Sequence, residues 1–286
     1  GEAGSQGAKG EKGDSGADGD QGLQGSIGDQ GDRGLSGAKG EKGVPGPAGV
    51  TGPPGLTGAT GPQGDKGPSG YAVNRLSPKA NTITLLDTDG TVGWYPSVTI
   101  GSDGLGLISY YDATNQRLKV AHCTNEACSS ATKYTVDDSS NVGWYTSIAI
   151  GADGLGLISY YDTVNEDLKV AHCLNVVCSQ AKSTTLDSGG DVGQYTALTI
   201  GGDGLGLIAY YDNTNRNLRV AHCSNFECSQ ASFNTLDSNG DVGSHVGATT
   251  GKDGLVLISY FDNTNKDLKM AHCSNQVCSD ATILPV

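Results

Sequence analysis

The sequence predicts two structures in one chain: a collagen triple helix of polyproline II strands, followed by an all-β domain built as a four-bladed β-propeller. Three observations carry this. Glycine occupies every third position from Gly1 to Gly70, 24 times without a skip, out of 45 glycines in 286 residues. Beyond Gly70 the period becomes fifty: Ser109-Tyr110-Tyr111-Asp112 returns, with conservative changes, at 159–162, 209–212 and 259–262. The eight cysteines fall in four pairs, one pair to each repeat. The boundaries read as a stalk over 1–70, a linker over 71–80 and a head over 81–286.

In the stalk, only hydrogen fits at the axis where three polyproline II chains meet, so glycine must recur every third residue. A disordered glycine-rich linker would not hold that register over 24 glycines. Such a chain needs two others, most simply copies of itself, and the expected state is a homotrimer. At roughly 3 Å per residue the stalk reaches on the order of 200 Å. Proline, which presets the backbone, is absent from residues 1–44 and crowds the head-proximal part at 45, 47, 53, 54, 62 and 68. The distal part relies on charge. Lys9 with Glu11, Lys12 with Asp14 and Lys39 with Glu41 place a lysine before an acid at spacings that meet between staggered chains. Exposed pairs of this kind contribute only ~0–1 kcal/mol each. This stretch resembles bacterial and phage collagen-like proteins, which also use charged triplets; the resemblance implies an extracellular fibre.

Each fifty-residue unit reads as four short strands. The first contains Val98-Thr99-Ile100 and ends at Gly101-Ser102-Asp103-Gly104, where Asp-Gly is a tight-turn signal. The second, 105–111, is apolar on both faces, as a strand with sheets packed on either side must be. The third covers 118–123 and the fourth runs from Cys128 to about Val136. Four strands in about fifty residues describe a propeller blade. A β-solenoid would use shorter coils, and a jelly roll would lack the internal repeat. The head resembles repeat-built bacterial propellers, without the Asp-box of sialidases. The fourth-strand pattern occurs five times, first at 82–87, so seventeen strands are on offer where four closed blades need sixteen. Either one terminal strand closes the ring and the other lies outside it, or a terminal strand pairs with another chain.

Charge narrows the partners. The formal net charge is −13, of which −3 falls in 1–70 and −10 in 71–286. An acidic head excludes nucleic acid and anionic lipid, which reward clusters of Lys and Arg. No segment approaches the ~18 apolar residues of a membrane span. Gly1 opens the triplets directly, as expected of a processed chain without a signal peptide.

The cysteines pair as Cys123/Cys128, Cys173/Cys178, Cys223/Cys228 and Cys273/Cys278. A hairpin with four intervening residues brings the two Cβ atoms within bridging reach, so four disulfides and an oxidising, extracellular setting are expected. Metal binding with the preceding His122, His172, His222 and His272 is the weaker reading, because neighbouring residues of a strand point to opposite faces. No cofactor is expected. Ca²⁺ is the one ion that the acidic turns would suit, through Asp87, Asp89, Asp187, Asp191, Asp237 and Asp241, although Asp-Gly and Asp-Ser make good turns unaided.

A catalytic centre needs one asymmetric constellation, and nearly every His, Asp and Tyr here is copied four times; the expectation is therefore no enzyme. Symmetry is broken at Trp94 and Trp144 against Gln194 and Ser244, and at His245. An aromatic ring exposed at a propeller mouth would stack on a sugar, which makes a glycan the candidate ligand. The expected function is a structural fibre subunit whose trimers join head to tail. Residues 1–44, marginal alone, would be gripped by the next trimer's heads through Lys9, Lys12, Lys39 and Lys42. The alternative is an adhesin or surface fibre whose heads bind glycans or a host surface.

Overall fold

The computed structural model describes residues 83–285, which belong to one compact unit, Thr82–Val286. Sixteen strands form four antiparallel sheets, each made of consecutive strands. Blade 1 holds β1 (Val92–Ile100), β2 (Gly106–Asp112), β3 (Arg117–Cys123) and β4 (Ala131–Asp137). Blade 2 holds β5 (Val142–Ile150), β6 (Gly156–Asp162), β7 (Asp167–Cys173) and β8 (Ala181–Asp187). Blade 3 runs through β9 (Val192–Ile200), β10 (Gly206–Asp212), β11 (Asn217–Cys223) and β12 (Ala231–Asp237). Blade 4 comprises β13 (Val242–Thr250), β14 (Val256–Asp262), β15 (Asp267–Cys273) and β16 (Ala281–Pro285). The domain is a β-propeller array, as the repeats predict.

Turn chemistry sets the register. After β1, the amide of Gly101 donates to the carbonyl of Leu105 at 2.7 Å, and Gly104, at φ +80°, donates back to Gly101 at 2.9 Å. Asp103 supports the turn by accepting from the amide of Leu105 at 3.1 Å. Only glycine holds such a φ without strain, which explains the Asp-Gly pair in every repeat.

The core lies between blades. Leu107, Leu118 and Val120 on the front face of blade 1 meet Ile148, Ile158 and Tyr160 on the rear face of blade 2. Equivalent layers join blade 2 to blade 3 and blade 3 to blade 4. The innermost strands β1, β5, β9 and β13 pack serially against one another. The middle strands β6 and β10 are buried along their whole length, because each lies between two interfaces.

The first strand contains Val98–Ile100 as expected and starts at Val92, across irregularities at Val92/Trp94 and Trp94/Ser97. Two expectations change. The fourth strand starts at Ala131, not Cys128, because Cys128 sits at φ +47° at the end of a turn. The extra fourth-strand pattern forms no strand in its described part: Ile83–Thr88 has no pairing, and Ile83 is 92% exposed. A strand needs a neighbouring edge, and β16 stays in its own blade beside β15. Among the described residues no interface comparable to the other three joins blade 4 to blade 1.

Candidate functional site

One polar cluster recurs between blades. Asp137, at the end of β4 in blade 1, reaches across to blade 2, where it accepts hydrogen bonds from the Tyr160 hydroxyl at 2.6 Å and from Lys169 Nζ at 2.7 Å. Asp187 does the same with Tyr210 and Arg219, and Asp237 with Tyr260 and Lys269. Asp87 supplies the carboxylate for blade 1, bound by Tyr110, Lys119 and Lys133. Burial alone would raise the Asp137 carboxyl, but Lys169, Ser139 and Tyr160 outweigh it and hold its pKa down at about 2. The same balance holds the carboxyls of Asp87 and Asp237 below the ordinary range. Burial, reinforced by the carboxylate, pushes the Tyr160, Tyr210 and Tyr260 hydroxyls up.

The acids weighed as Ca²⁺ candidates have these partners in the structure. Asp87, Asp187 and Asp237 are engaged by cationic side chains. Asp191 and Asp241 accept from the hydroxyls of Tyr161 and Tyr211, each at 2.8 Å. Asp89 pairs with Lys133 at 2.9 Å. Among the described residues, no group of three or more His, Cys, Asp and Glu side chains converges on a metal position. A constant offset pointed to the clamp: each of Asp87, Asp137, Asp187 and Asp237 precedes a tyrosine by 23 residues and a lysine or arginine by 32.

The cysteines pair within their own repeats. Cys123–Cys128, Cys173–Cys178, Cys223–Cys228 and Cys273–Cys278 are disulfides, with Cα atoms 4.8 to 4.9 Å apart. No free cysteine remains. The adjacent histidines face the first turn of their blade instead: His122 Nε2 lies 2.8 Å from Asp103 Oδ2, and His172, His222 and His272 repeat the pair with Asp153, Asp203 and Asp253. The intact mass should sit about 8 Da below the fully reduced value, since each bridge removes two hydrogens. Peptide mapping should link only cysteines five positions apart. A titre of free thiols near eight would refute the pairing.

The residues that break the repeat lie along the inner strands. Tyr95, Tyr145, Tyr195 and His245 form a continuous ladder, with successive ring centroids 4.6, 4.5 and 4.4 Å apart. All four hold φ between 50° and 55°. A non-glycine residue there carries strain of order 1–3 kcal/mol, and strain of this kind clusters at functional sites. The bulge in each inner strand turns these rings onto one line. Burial comes first, and the neighbouring phenols second, in pushing the Tyr145 hydroxyl up. Trp144 Nε1 donates to Asn141 Oδ1 at 3.2 Å and Gln194 Nε2 to Asp191 Oδ1 at 3.0 Å, so both brace a loop. Trp94 is different. It stands beside Tyr95 and Tyr111 and is 48% exposed, offering an open ring face at the end of the ladder. The candidate stalk ion pairs of Lys9, Glu11, Lys12, Asp14, Lys39 and Glu41 lie outside the described residues.

Residues 1–75 match the model of the collagen triple helix repeat. The chain carries a collagen-like segment. That match spans about a quarter of the chain, and the repeat implies self-association into trimers. No curated protein sequence matches the chain. The head is similar in fold to an α-L-arabinofuranosidase from Fusarium graminearum, at TM-score 0.52 and 11% identity, covering 70% of this chain and 68% of the other. It is also similar to an exo-β-1,3-galactanase from Phanerochaete chrysosporium, at TM-score 0.51 and 10% identity, covering 71% of this chain and 52% of the other. These likenesses establish fold and not activity. They do correct the expectation of no enzyme, which rested on repeat symmetry: both of these solved structures are glycosidases, so the architecture is one that can carry catalysis.

Proposed function

We propose that the chain is the subunit of an extracellular fibre, homotrimeric through its collagen-like segment and displaying propeller heads. The unbroken glycine period from Gly1 to Gly70 carries this reading, because each axial glycine demands two neighbouring chains. Four disulfides per head support an oxidising location. In the finer form of the proposal, trimers join head to tail, with residues 1–44 held by the heads of the next trimer. The head-bearing region carries −10 and the distal segment offers Lys9, Lys12, Lys39 and Lys42, so this docking weakens with salt. A contact of this kind that does not close generates a filament.

Negative-stain imaging with light scattering tests both levels. Trimers at micromolar concentration, and filaments that shorten as salt rises, are the expected outcome. Deleting residues 1–44 should abolish filaments and leave trimers with intact heads. Monomeric full-length protein would overturn the homotrimer, and a truncated protein that still polymerises would overturn the head-to-tail contact.

The strained aromatic ladder favours a second reading, in which the heads bind glycans at Trp94. A glycan array should then show binding that Trp94→Ala removes. Equal signals from both proteins would end that reading.

A further inference from the structure

The four-blade array stops at two faces with no counterpart among the described residues. Inside it, one interface is built three times, front face on rear face. At the ends, the same faces lie open. On the rear of blade 1, Val98 is 66% exposed, whereas its equivalents Ile148 and Leu198 are buried against the preceding blade, and Ile100 is 63% exposed where Ile150 and Ile200 are half-buried. On the front of blade 4, Leu268 is 53% exposed, whereas Leu118, Leu168 and Leu218 are fully buried. Each open face holds a shallow apolar hollow, one lined by Val92, Gly93, Pro96 and Ile108, the other by Gly247, Leu257, Ser259 and Met270.

The two open faces are halves of the joint already seen. In the internal interfaces a leucine sits on a glycine so closely that a Cβ at Gly143, Gly193 or Gly243 would stand 2.9, 2.7 or 2.6 Å from the Cα of Leu118, Leu168 or Leu218. Leu268 is the unmated leucine. Gly93, at φ +89° with nothing within 4 Å of its Cβ position, is the unmated seat. The polar contacts change in concert. Tyr111, Tyr161 and Tyr211 donate across their interfaces to Asn141, Asp191 and Asp241. At the ends the corresponding residues are Phe261 and Thr91, so bringing the faces together strands no tyrosine hydroxyl. The clamp carboxylate that blade 1 needs on its rear side is already in place as Asp87.

We infer that heads join through these faces, the front of blade 4 in one copy seated on the rear of blade 1 in a second copy, with Leu268 over Gly93. The occupant is a second copy because the contact continues an interface that the chain builds three times from the same residue types. Each head has one face of each kind, so the contact is heterologous. It does not rest on the fibre reading; a collagen-type trimer simply supplies the neighbouring copies at high local concentration.

Cysteines at positions 96 and 259 test this in the full-length protein. At the equivalent internal site, Ser159 Oγ and Thr196 Oγ1 lie 2.7 Å apart. The double variant Pro96→Cys/Ser259→Cys, mildly oxidised and then denatured without reductant, should run as covalent dimers and larger species. Either single variant should not. Adding Leu268→Arg should cut the cross-linked yield at least about tenfold, equivalent to about 1.4 kcal/mol. It should leave the circular dichroism of the head unchanged, because Leu268 is exposed in a lone head. A disulfide formed within one chain would show that the array closes on itself, and unreacted thiols that nothing docks there. Either result overturns the inference, as do single variants that cross-link equally well or a Leu268→Arg protein with full yield.

Discussion

Asp137→Ala should destabilise the head by about 3–5 kcal/mol, the range for removing one partner of a buried ion pair. Lys169, itself buried, would keep only Asp162 at 3.9 Å, and the Tyr160 hydroxyl would lose its acceptor. Urea denaturation read by tyrosine and tryptophan fluorescence measures the loss as a lower midpoint. A shift under about 1 kcal/mol would mean that apolar packing alone holds blades 1 and 2 together. The same group fixes the acid limit. An aspartate in the unfolded chain takes up a proton near pH 3.9, whereas Asp137 in the folded head holds out to about 2. Its contribution is therefore complete above the unfolded value and is lost as pH falls toward 2, with Asp87 and Asp237 adding in the same direction. Stability should stay level down to about pH 5 and drop steeply between about 4 and 2. The drop should be shallower in Asp137→Ala.

Gly55→Val should have the largest effect on assembly. The position lies in the proline-rich part of the collagen-like segment, where Pro53-Pro54 precede it and proline would stiffen the proposed triple helix. A side chain at the axis of a triple helix has no room, and the stagger of the chains would force three valines into the axis at successive levels. The dichroic signature of the triple helix should melt at clearly lower temperature, while the head's own transition stays where it was. An unchanged helix melt would show that residues near Gly55 are not packed around a common axis, and the trimer proposal would fall with it.

The sequence made the blades legible because hairpin chemistry is local. Asp-Gly turns mark the end of each inner strand, and paired cysteines mark the next hairpin but one. The starts of the inner strands were hidden. Gly93 at φ +89° and Tyr95 at φ 50° break the alternation of apolar and polar residues there, so a period of two cannot be followed back to Val92. The role of the clamp acids was hidden for another reason. Asp137 looks like any turn residue in sequence, and only its partners, brought near by a neighbouring blade, show what it does. The strand count left ring closure open, and residue type could not decide it, since Val98 and Ile148 are the same kind of residue whether or not a blade covers them. The ladder tyrosines were only partly visible: aromatic character was plain, but a positive φ leaves no trace in the residue type.

Among the described residues every sheet is completed by strands that follow one another in the chain, and no strand is borrowed from the far end to fasten a ring. Each blade also carries its own disulfide and its own tight turns. A duplication or deletion of one fifty-residue unit thus leaves every remaining hairpin and every remaining joint intact. Array length is free to drift in evolution without a compensating change elsewhere, and heads with more or fewer blades are accessible from this one by unequal recombination alone.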